Sequence, residues 1–186
     1  MLKRKDKIII SAIELLNEEG ISGVTTKNLA LRQHVTEPAL YRQFSGKQEI
    51  LNHILDEYAA YDEKIEKTIL QSSLSGKEAI LFYVTRYAEL YQNYSELTTV
   101  MFSMDLYYYN EYSRKFMKEL NGKRLQFLED LIEKKKEDFS LGEKFTSKEL
   151  ASVINGAIFS QVYEWRMSEK EYILGERLIS MISRML

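Results

Sequence analysis

Cysteine is absent from the 186 residues, which excludes a disulfide framework, a thiolate zinc site and a cysteine nucleophile. Proline occurs once, at Pro38, and glycine eight times, mostly where helical patterns break. With so few breakers and no sustained period-two alternation, the chain reads as nearly all helix. Long apolar runs are also missing. Ile8-Ile9-Ile10 is cut short by Ser11 and Glu14, so neither a signal peptide nor a membrane span is expected, and the location expected is cytoplasmic with no membrane partner. There are two histidines, His34 and His53, and no Ser/His/Asp set, phosphate loop or metal-ligand cluster. The expectation is therefore no catalytic residue, no metal, no cofactor and no enzyme.

What is present is enough apolar material, 45% of residues, to bury a core without cross-links. Apolar residues at helical spacing mark a first helix over about Lys5–Glu19, carrying Ile8, Ile9, Ala12, Ile13 and Leu16, with Gly20 placed as its cap. A short helix follows from Thr25 or Thr26. A tight turn at Gln33-His34-Val35 leads to Thr36 as the N-cap of a third helix, about Glu37–Phe44. A long fourth helix starts near Ser45-Gly46-Lys47, where Ser45 and Gln48 have capping-box spacing, and ends near Gln71. Further helices are expected at about 77–93, 96–108 and 111–138. Two more follow, one from the capping box Thr146–Glu149 to about Met167 and one over about 169–185, which makes about nine in all.

The net charge of −2 hides an asymmetry. Residues 1–47 hold 8 Lys and Arg against 5 Asp and Glu, a net of +3, while residues 48–186 hold 18 against 23, a net of −5. A small basic head on an acidic body suits a head that meets phosphates. Within that head, Val24–Lys47 forms two short helices about a tight turn, a helix-turn-helix whose second helix fits a major groove about 12 Å wide. The N-terminus of the second helix, with Thr26, suits a phosphate. Lys27 can reach a phosphate or a guanine edge, Thr36 can cap the recognition helix and donate to phosphate, and Pro38 and Ala39 suit a thymine methyl. Arg42 can grip guanine or phosphate, and Gln43 a phosphate or base. Leu29, Val35, Leu40 and Phe44 are assigned to the small core that fixes the angle between the two helices.

The run Thr25-Thr26-Lys27-Asn28-Leu29-Ala30, then Val35-Thr36-Glu37-Pro38-Ala39-Leu40-Tyr41-Arg42-Gln43-Phe44, then Lys47, resembles the TetR/AcrR family of regulators, over about Lys5–Leu51. His34 stands where that family has glycine, and Ser45-Gly46 where it has Gly-Ser. A left-handed residue is wanted at the first of these, a conformation histidine tolerates better than most. The resemblance implies an all-α fold with a three-helix DNA-binding domain at 1–47 and a helical ligand-sensing and dimerisation domain at 48–186. It implies that Glu37 reads a base, that Tyr41 donates to phosphate and that Lys47 clamps a terminal phosphate. It also implies a homodimer on double-stranded operator DNA and an unknown small-molecule effector.

Residues 82–127 hold 12 of the 22 aromatics. Tyr83, Tyr87 and Tyr91 form one stripe at i, i+4, i+8, and Met101, Phe102, Met104, Tyr108, Tyr112, Phe116 and Phe127 follow. Such a set suits either a cavity for an apolar or amphipathic ligand or a filled core with wet tyrosine edges. In the last two helices, Leu150, Ile154, Ala157 and Ile158 share a face, with Gly156 and Ser160 allowing close approach; Leu174, Leu178, Met181, Ile182 and Met185 share another. Two such helices per chain can build an intermolecular four-helix bundle. The function expected is a sequence-specific regulator, a repressor released from a palindromic operator by its ligand. The alternative is a ligand-independent DNA-organising or protein-partner-binding factor on the same fold.

Overall fold

The computed structural model describes residues 3–186, and among them there is no strand. Ten α-helices follow in order: α1 (Arg4–Gly23), α2 (Thr26–Arg32), α3 (Glu37–Tyr41), α4 (Lys47–Gln71), α5 (Gly76–Asn93), α6 (Thr99–Phe102), α7 (Met104–Tyr107), α8 (Glu111–Glu133), α9 (Ser147–Met167) and α10 (Leu174–Met185), with 3₁₀ turns at Ser95–Thr98 and Lys136–Asp138. No helix among the described residues is long and apolar enough to cross a membrane.

Two compact units emerge. The first comprises Met1–Ala60 and Glu96–Lys118, the second Tyr61–Ser95 and Glu119–Leu186. Helices α4 and α8 are each continuous and lend one end to each unit. The head's compact unit thus reaches past residue 47 and takes in a distant segment, because the first half of α4 buries Ile50, Leu51, Ile54 and Leu55 in the same core as α1.

In the first unit, α1 buries Ile8, Ile9, Ala12, Ile13, Leu15 and Leu16. Gly20 takes φ 69°, ψ −168°, a region essentially closed to residues with a Cβ, and this puts a kink inside α1 that carries the chain on to Gly23. Asn110 donates through Nδ2 to Gln48 Oε1 at 2.6 Å. The segment expected as one helix over 96–108 is broken, because Ser103 leaves helical geometry at φ −85°, ψ 80° and its hydroxyl bonds back to the Thr99 carbonyl at 2.8 Å. The N-terminus of α4 also differs from expectation. The side chain that reaches back to Ser45 belongs to Glu49, whose carboxylate accepts from Ser45 N at 2.7 Å and Ser45 Oγ at 2.9 Å, while Gln48 turns to Asn52 and Asn110. Those two bonds hold the Glu49 carboxyl below the usual carboxylate range.

In the second unit, α10 runs along α5, with Gly175 N donating to Gln92 Oε1 at 2.6 Å. The capping box at α9 forms as the sequence predicts: Thr146 Oγ1 accepts from Glu149 N at 3.2 Å and the Glu149 carboxylate accepts from Thr146 N at 2.8 Å. Helix α10 starts at Leu174 rather than 169 because Glu169 and Lys170 take positive φ, 54° and 65°, and turn the chain. The turn is fastened by Trp165 Nε1, which donates to the Tyr172 carbonyl at 2.9 Å.

Candidate nucleic-acid interface

Helix α2 is N-capped by Thr25, whose hydroxyl accepts from Asn28 N at 3.1 Å. Two arginine–carboxylate bonds fasten α2 to α1: Arg32 donates to both oxygens of Glu18 at 2.7 Å and holds that carboxyl below its ordinary range. Gln33 Nε2 adds a 2.7 Å bond to Ser11 Oγ. The turn then closes through His34 at φ 51°, with Val35 N donating to the Ala30 carbonyl at 2.9 Å. The departure from glycine at this position is therefore accommodated by a histidine in the left-handed region, as expected.

Pro38 opens α3, where a missing N–H costs nothing. Helix α3 is shorter than expected, ending at Tyr41. Leu40 and Phe44 point inward and are fully buried with Leu29, while Val35 is half-buried. Thr36, Pro38, Tyr41 and Arg42 are exposed, and Lys27 is exposed beside them on α2; Thr26, Glu37, Ala39 and Gln43 are half-buried. The face of α3 opposite the core is thus open along its length. Thr36 occupies the N-cap position with extended backbone, but its hydroxyl makes no capping bond.

Three of the expected contact residues also hold each other. Thr26 Oγ1 donates to Glu37 Oε2 at 3.1 Å and lies 3.4 Å from Tyr41 Oη, so α2 and α3 are cross-bonded at their outer edge. Lys47 Nζ donates to the Ile21 carbonyl at 2.5 Å and lies 5.7 Å from the Tyr109 ring centroid. Partial burial lowers its pKa. Lys47 therefore ties the start of α4 to the end of α1, a role that spacing alone did not reveal, and keeps two further N–H donors.

The expected sensor residues fall in both units. Tyr83, Tyr87 and Tyr91 are buried and stacked in sequence, with ring centroids 4.7 and 5.9 Å apart. Phe127 is half-buried and lies 6.1 Å from Tyr83. Met101, Phe102 and Phe116, in the first unit, are half-buried; Met104, Tyr108 and Tyr112 are exposed. A cleft of about 520 Å³ exists in the second unit, lined by Tyr61, Lys64, Ile65, Thr68, Arg86, Glu89, Leu90, Asn93 and Tyr94. None of the ten expected ligand residues lines it.

Sequence reading missed the polar centre of the second unit. Asp62 on α4 accepts from Arg124 Nε at 2.6 Å, from Arg124 Nη2 at 2.9 Å and from Tyr87 Oη at 2.5 Å. The guanidinium also lies 5.3 Å from the Tyr87 ring centroid. Both charged side chains are about nine-tenths buried. Burial raises the Tyr83 and Tyr87 phenols well above the ordinary range. Burial, and then the charge of Asp62, raises Glu66 nearby.

The expected dimer face needs correction. Leu150, Ile154, Ile158, Leu174, Leu178 and Ile182 are buried inside the chain itself, where α9, α10 and α5 pack, so they are not free to meet a partner. Ala157, Met181 and Met185 are only half-buried. The outward face of α9 is a different one, carrying Val153, Gly156, Ser160, Tyr163 and Met167, with Phe159 at its edge.

The family model for bacterial regulatory proteins, tetR family, matches residues 8–54. Tetracycline repressor protein class A from transposon 1721 of Escherichia coli is 32% identical over 85 residues, which is 41% of this chain and 39% of that protein. The chain thus spans about two fifths of the length of that curated relative. Among solved structures, the ketosteroid transcriptional regulator KstR2 of Mycobacterium tuberculosis superposes with a TM-score of 0.84 at 12% identity, over 100% of this chain and 94% of that one. AibR in complex with isovaleryl coenzyme A and operator DNA superposes at 0.81 and 17% identity, over 99% and 98%. At these identities the structural likeness speaks for the fold, and the sequence match speaks for the head. Residues 8–54 are thus similar to the tetR family of bacterial regulatory proteins.

Proposed function

We propose that the chain is a sequence-specific DNA-binding transcription regulator, a repressor released from a palindromic operator by a small molecule. Residues 1–47 serve as the DNA-reading head and 48–186 as the sensing and dimerising body. The observation that carries the reading is the division of one short segment: Leu40 and Phe44 are buried while Thr36, Pro38, Tyr41 and Arg42 face outward. A recognition helix needs that division, a core side that fixes its angle and an outer side that meets base edges and phosphates.

In this reading Arg42, Glu37, Pro38 and Ala39 address bases, and Thr26, Lys27, Thr36, Tyr41 and Gln43 address the backbone, with the remaining donors of Lys47 at its margin. The Thr26–Glu37–Tyr41 cross-bonds hold these groups in place before DNA arrives, which lowers the ordering cost of binding. A second copy of the chain supplies the second head, about 34–36 Å away, that a palindrome requires. Its docking surface is the outward face of α9, where Gly156 and Ser160 let helices approach and Val153, Tyr163 and Met167 are apolar and exposed. Helix α4 runs unbroken from Lys47 to Gln71, so a shift at its sensor end reaches its head end.

One observation favours the ligand-independent alternative: Tyr83, Tyr87 and Tyr91 are buried and packed against each other, and Tyr87 is bonded to the buried Asp62. Selection of bound sequences from random duplex DNA at fixed salt tests the main reading. Wild type should enrich an inverted repeat, and Arg42→Ala should weaken the selected site by about 1–3 kcal/mol while relaxing one position of it. A protein that stays monomeric and enriches nothing would sink the proposal. An operator affinity indifferent to every compound that raises the melting temperature would leave DNA binding and select the alternative.

A further inference from the structure

The cleft between the second half of α4 and α5 is built from side chains that neither the head nor the tyrosine stripe uses. Its volume, about 520 Å³, lies inside the range of small-molecule sites, about 300–1,000 Å³. Its walls are of two kinds. Ile65, which is buried, and Leu90 offer an aliphatic floor, and the rings of Tyr61 and Tyr94 flank it. Each helix then contributes one cation, Lys64 from α4 and Arg86 from α5, both exposed. Lys64 Nζ lies 5.2 Å from the Tyr61 ring centroid, a placement that keeps the ammonium against the cleft wall. Arg86 is steadied by Glu89, which lines the same cleft, Nη1 to Oε2 at 2.6 Å, and a guanidinium fork retains further donors when one is engaged. The lining therefore carries two cations and one carboxylate, and that carboxylate is already paired.

We propose that this cleft binds a small amphipathic anion, with an apolar or aromatic body against Ile65, Leu90 and the tyrosine rings and a carboxylate, sulfonate or phosphate taken by Lys64 and Arg86. Both halves of the ligand are needed. A bare anion would meet only exposed cations, whose attraction is screened by salt. A neutral apolar body would leave Lys64 without a counter-charge and the remaining donors of Arg86 without an acceptor in the cleft. The site is distinct from the Tyr83–Tyr87–Tyr91 stripe, and its test involves no DNA, so it stands or falls apart from the operator reading.

Anilinonaphthalene sulfonate is a suitable probe, an aromatic anion whose fluorescence reports burial, and N-phenylnaphthylamine is its uncharged counterpart. Wild type should bind the sulfonate more tightly than the amine, and less tightly as salt rises. The double variant Lys64→Ala/Arg86→Ala should weaken the sulfonate about twofold to thirtyfold, which is what two exposed ion pairs amount to, and leave the amine unchanged. Asn93→Trp, which places a large ring in the cleft, should weaken both probes, and Lys118→Ala, an exposed cation elsewhere, should change neither. In the unsubstituted protein, bound sulfonate should slow acetylation of Lys64 relative to Lys118. A sulfonate affinity unchanged by the double variant, an equal loss of both probes, or equal acetylation of the two lysines would each overturn the proposal.

Discussion

The Asp62–Arg124 pair allows a sharp test of what holds the second unit together. Replacing Arg124 with Met keeps most of the side-chain volume and removes the cation. Asp62 would then keep one hydrogen bond, from Tyr87 Oη, in a site where the carboxylate is about nine-tenths buried. Stranding one partner of such a pair typically costs about 3–5 kcal/mol, whereas replacing the whole pair with apolar groups of similar size is often neutral. Taking out Asp62 as well, with Asp62→Leu, removes the stranded charge but leaves the Tyr87 hydroxyl without its acceptor, a cost of about 1–3 kcal/mol. Adding Tyr87→Phe removes that too. The expected series in urea unfolding, followed by circular dichroism at one fixed protein concentration, is therefore a large loss for Arg124→Met, a partial recovery for the double variant, and a return to within about 1–2 kcal/mol of wild type for the triple variant. The fixed concentration matters because the stability of the proposed dimer would depend on it. If Arg124→Met alone stays within about 1 kcal/mol of wild type, the pair is not the buried, mutually dependent unit argued above. If the triple variant is as unstable as the single one, the loss comes from packing and not from charge.

Other consequences are simpler to read. The Tyr83 and Tyr87 phenols are held above the ordinary tyrosine range by burial; a group whose folded pKa is raised stabilises fully below its unfolded pKa and loses that stability as pH rises beyond it. Above about pH 10 the fold should therefore weaken, and Tyr83→Phe should flatten that alkaline loss in melts. Glu66 is raised by burial and by Asp62, so the same sign places its cost above the ordinary carboxylate range. Glu66→Gln should gain relative stability as pH climbs from about 4 to 7, by no more than about 1 kcal/mol because the group is only half-buried and solvent screens it in part. Thr146→Ala, which removes the capping box of α9, should lower stability by about 1 kcal/mol in the same unfolding assay. Val153→Glu, on the outward face of α9, should shift sedimentation toward monomer with little change in helicity, and a variant that sediments as wild type does would move the dimer surface elsewhere.

The head was legible because its constraints are local. Caps, a turn three residues long and the alternation of Leu29, Leu40 and Phe44 with polar neighbours all act within a few residues, and each has a side-chain signature. What escaped was decided across longer separations. Lys47 bonds a carbonyl 26 positions earlier, and Gln48 was drawn away from α4's own cap by Asn110, 62 positions on. Even so, the polar centre left a trace. On α4, Asp62 is the one charge in a buried stripe of Tyr58, Ile65 and Ile69; on α8, Arg124 interrupts Leu120, Leu128 and Leu131 in the same way. A lone charge on an apolar stripe is costly to bury unless another helix carries the opposite charge on a matching stripe. The two interruptions, of opposite sign, could have been paired from the sequence.

The error at α9 has a different origin, and it bears on how a helix of this kind is read. Periodicity reports that Leu150, Ile154 and Ile158 share a face, but burial against one's own chain and burial against a second copy draw on the same apolar residues. The distinguishing sign lies on the other side of the helix. Val153, Phe159, Tyr163 and Met167 make α9 apolar around most of its circumference, and a helix apolar all round is one that is buried all round. One side is already occupied by α10 and α5. The side that carries Gly156 and Ser160 is open, and a Cβ added at Gly156 would meet no atom within 4 Å. Small residues are useful where another helix approaches closely. At Gly156 the chain itself brings no such helix, and the proposed dimer uses that room for α9 of the second copy.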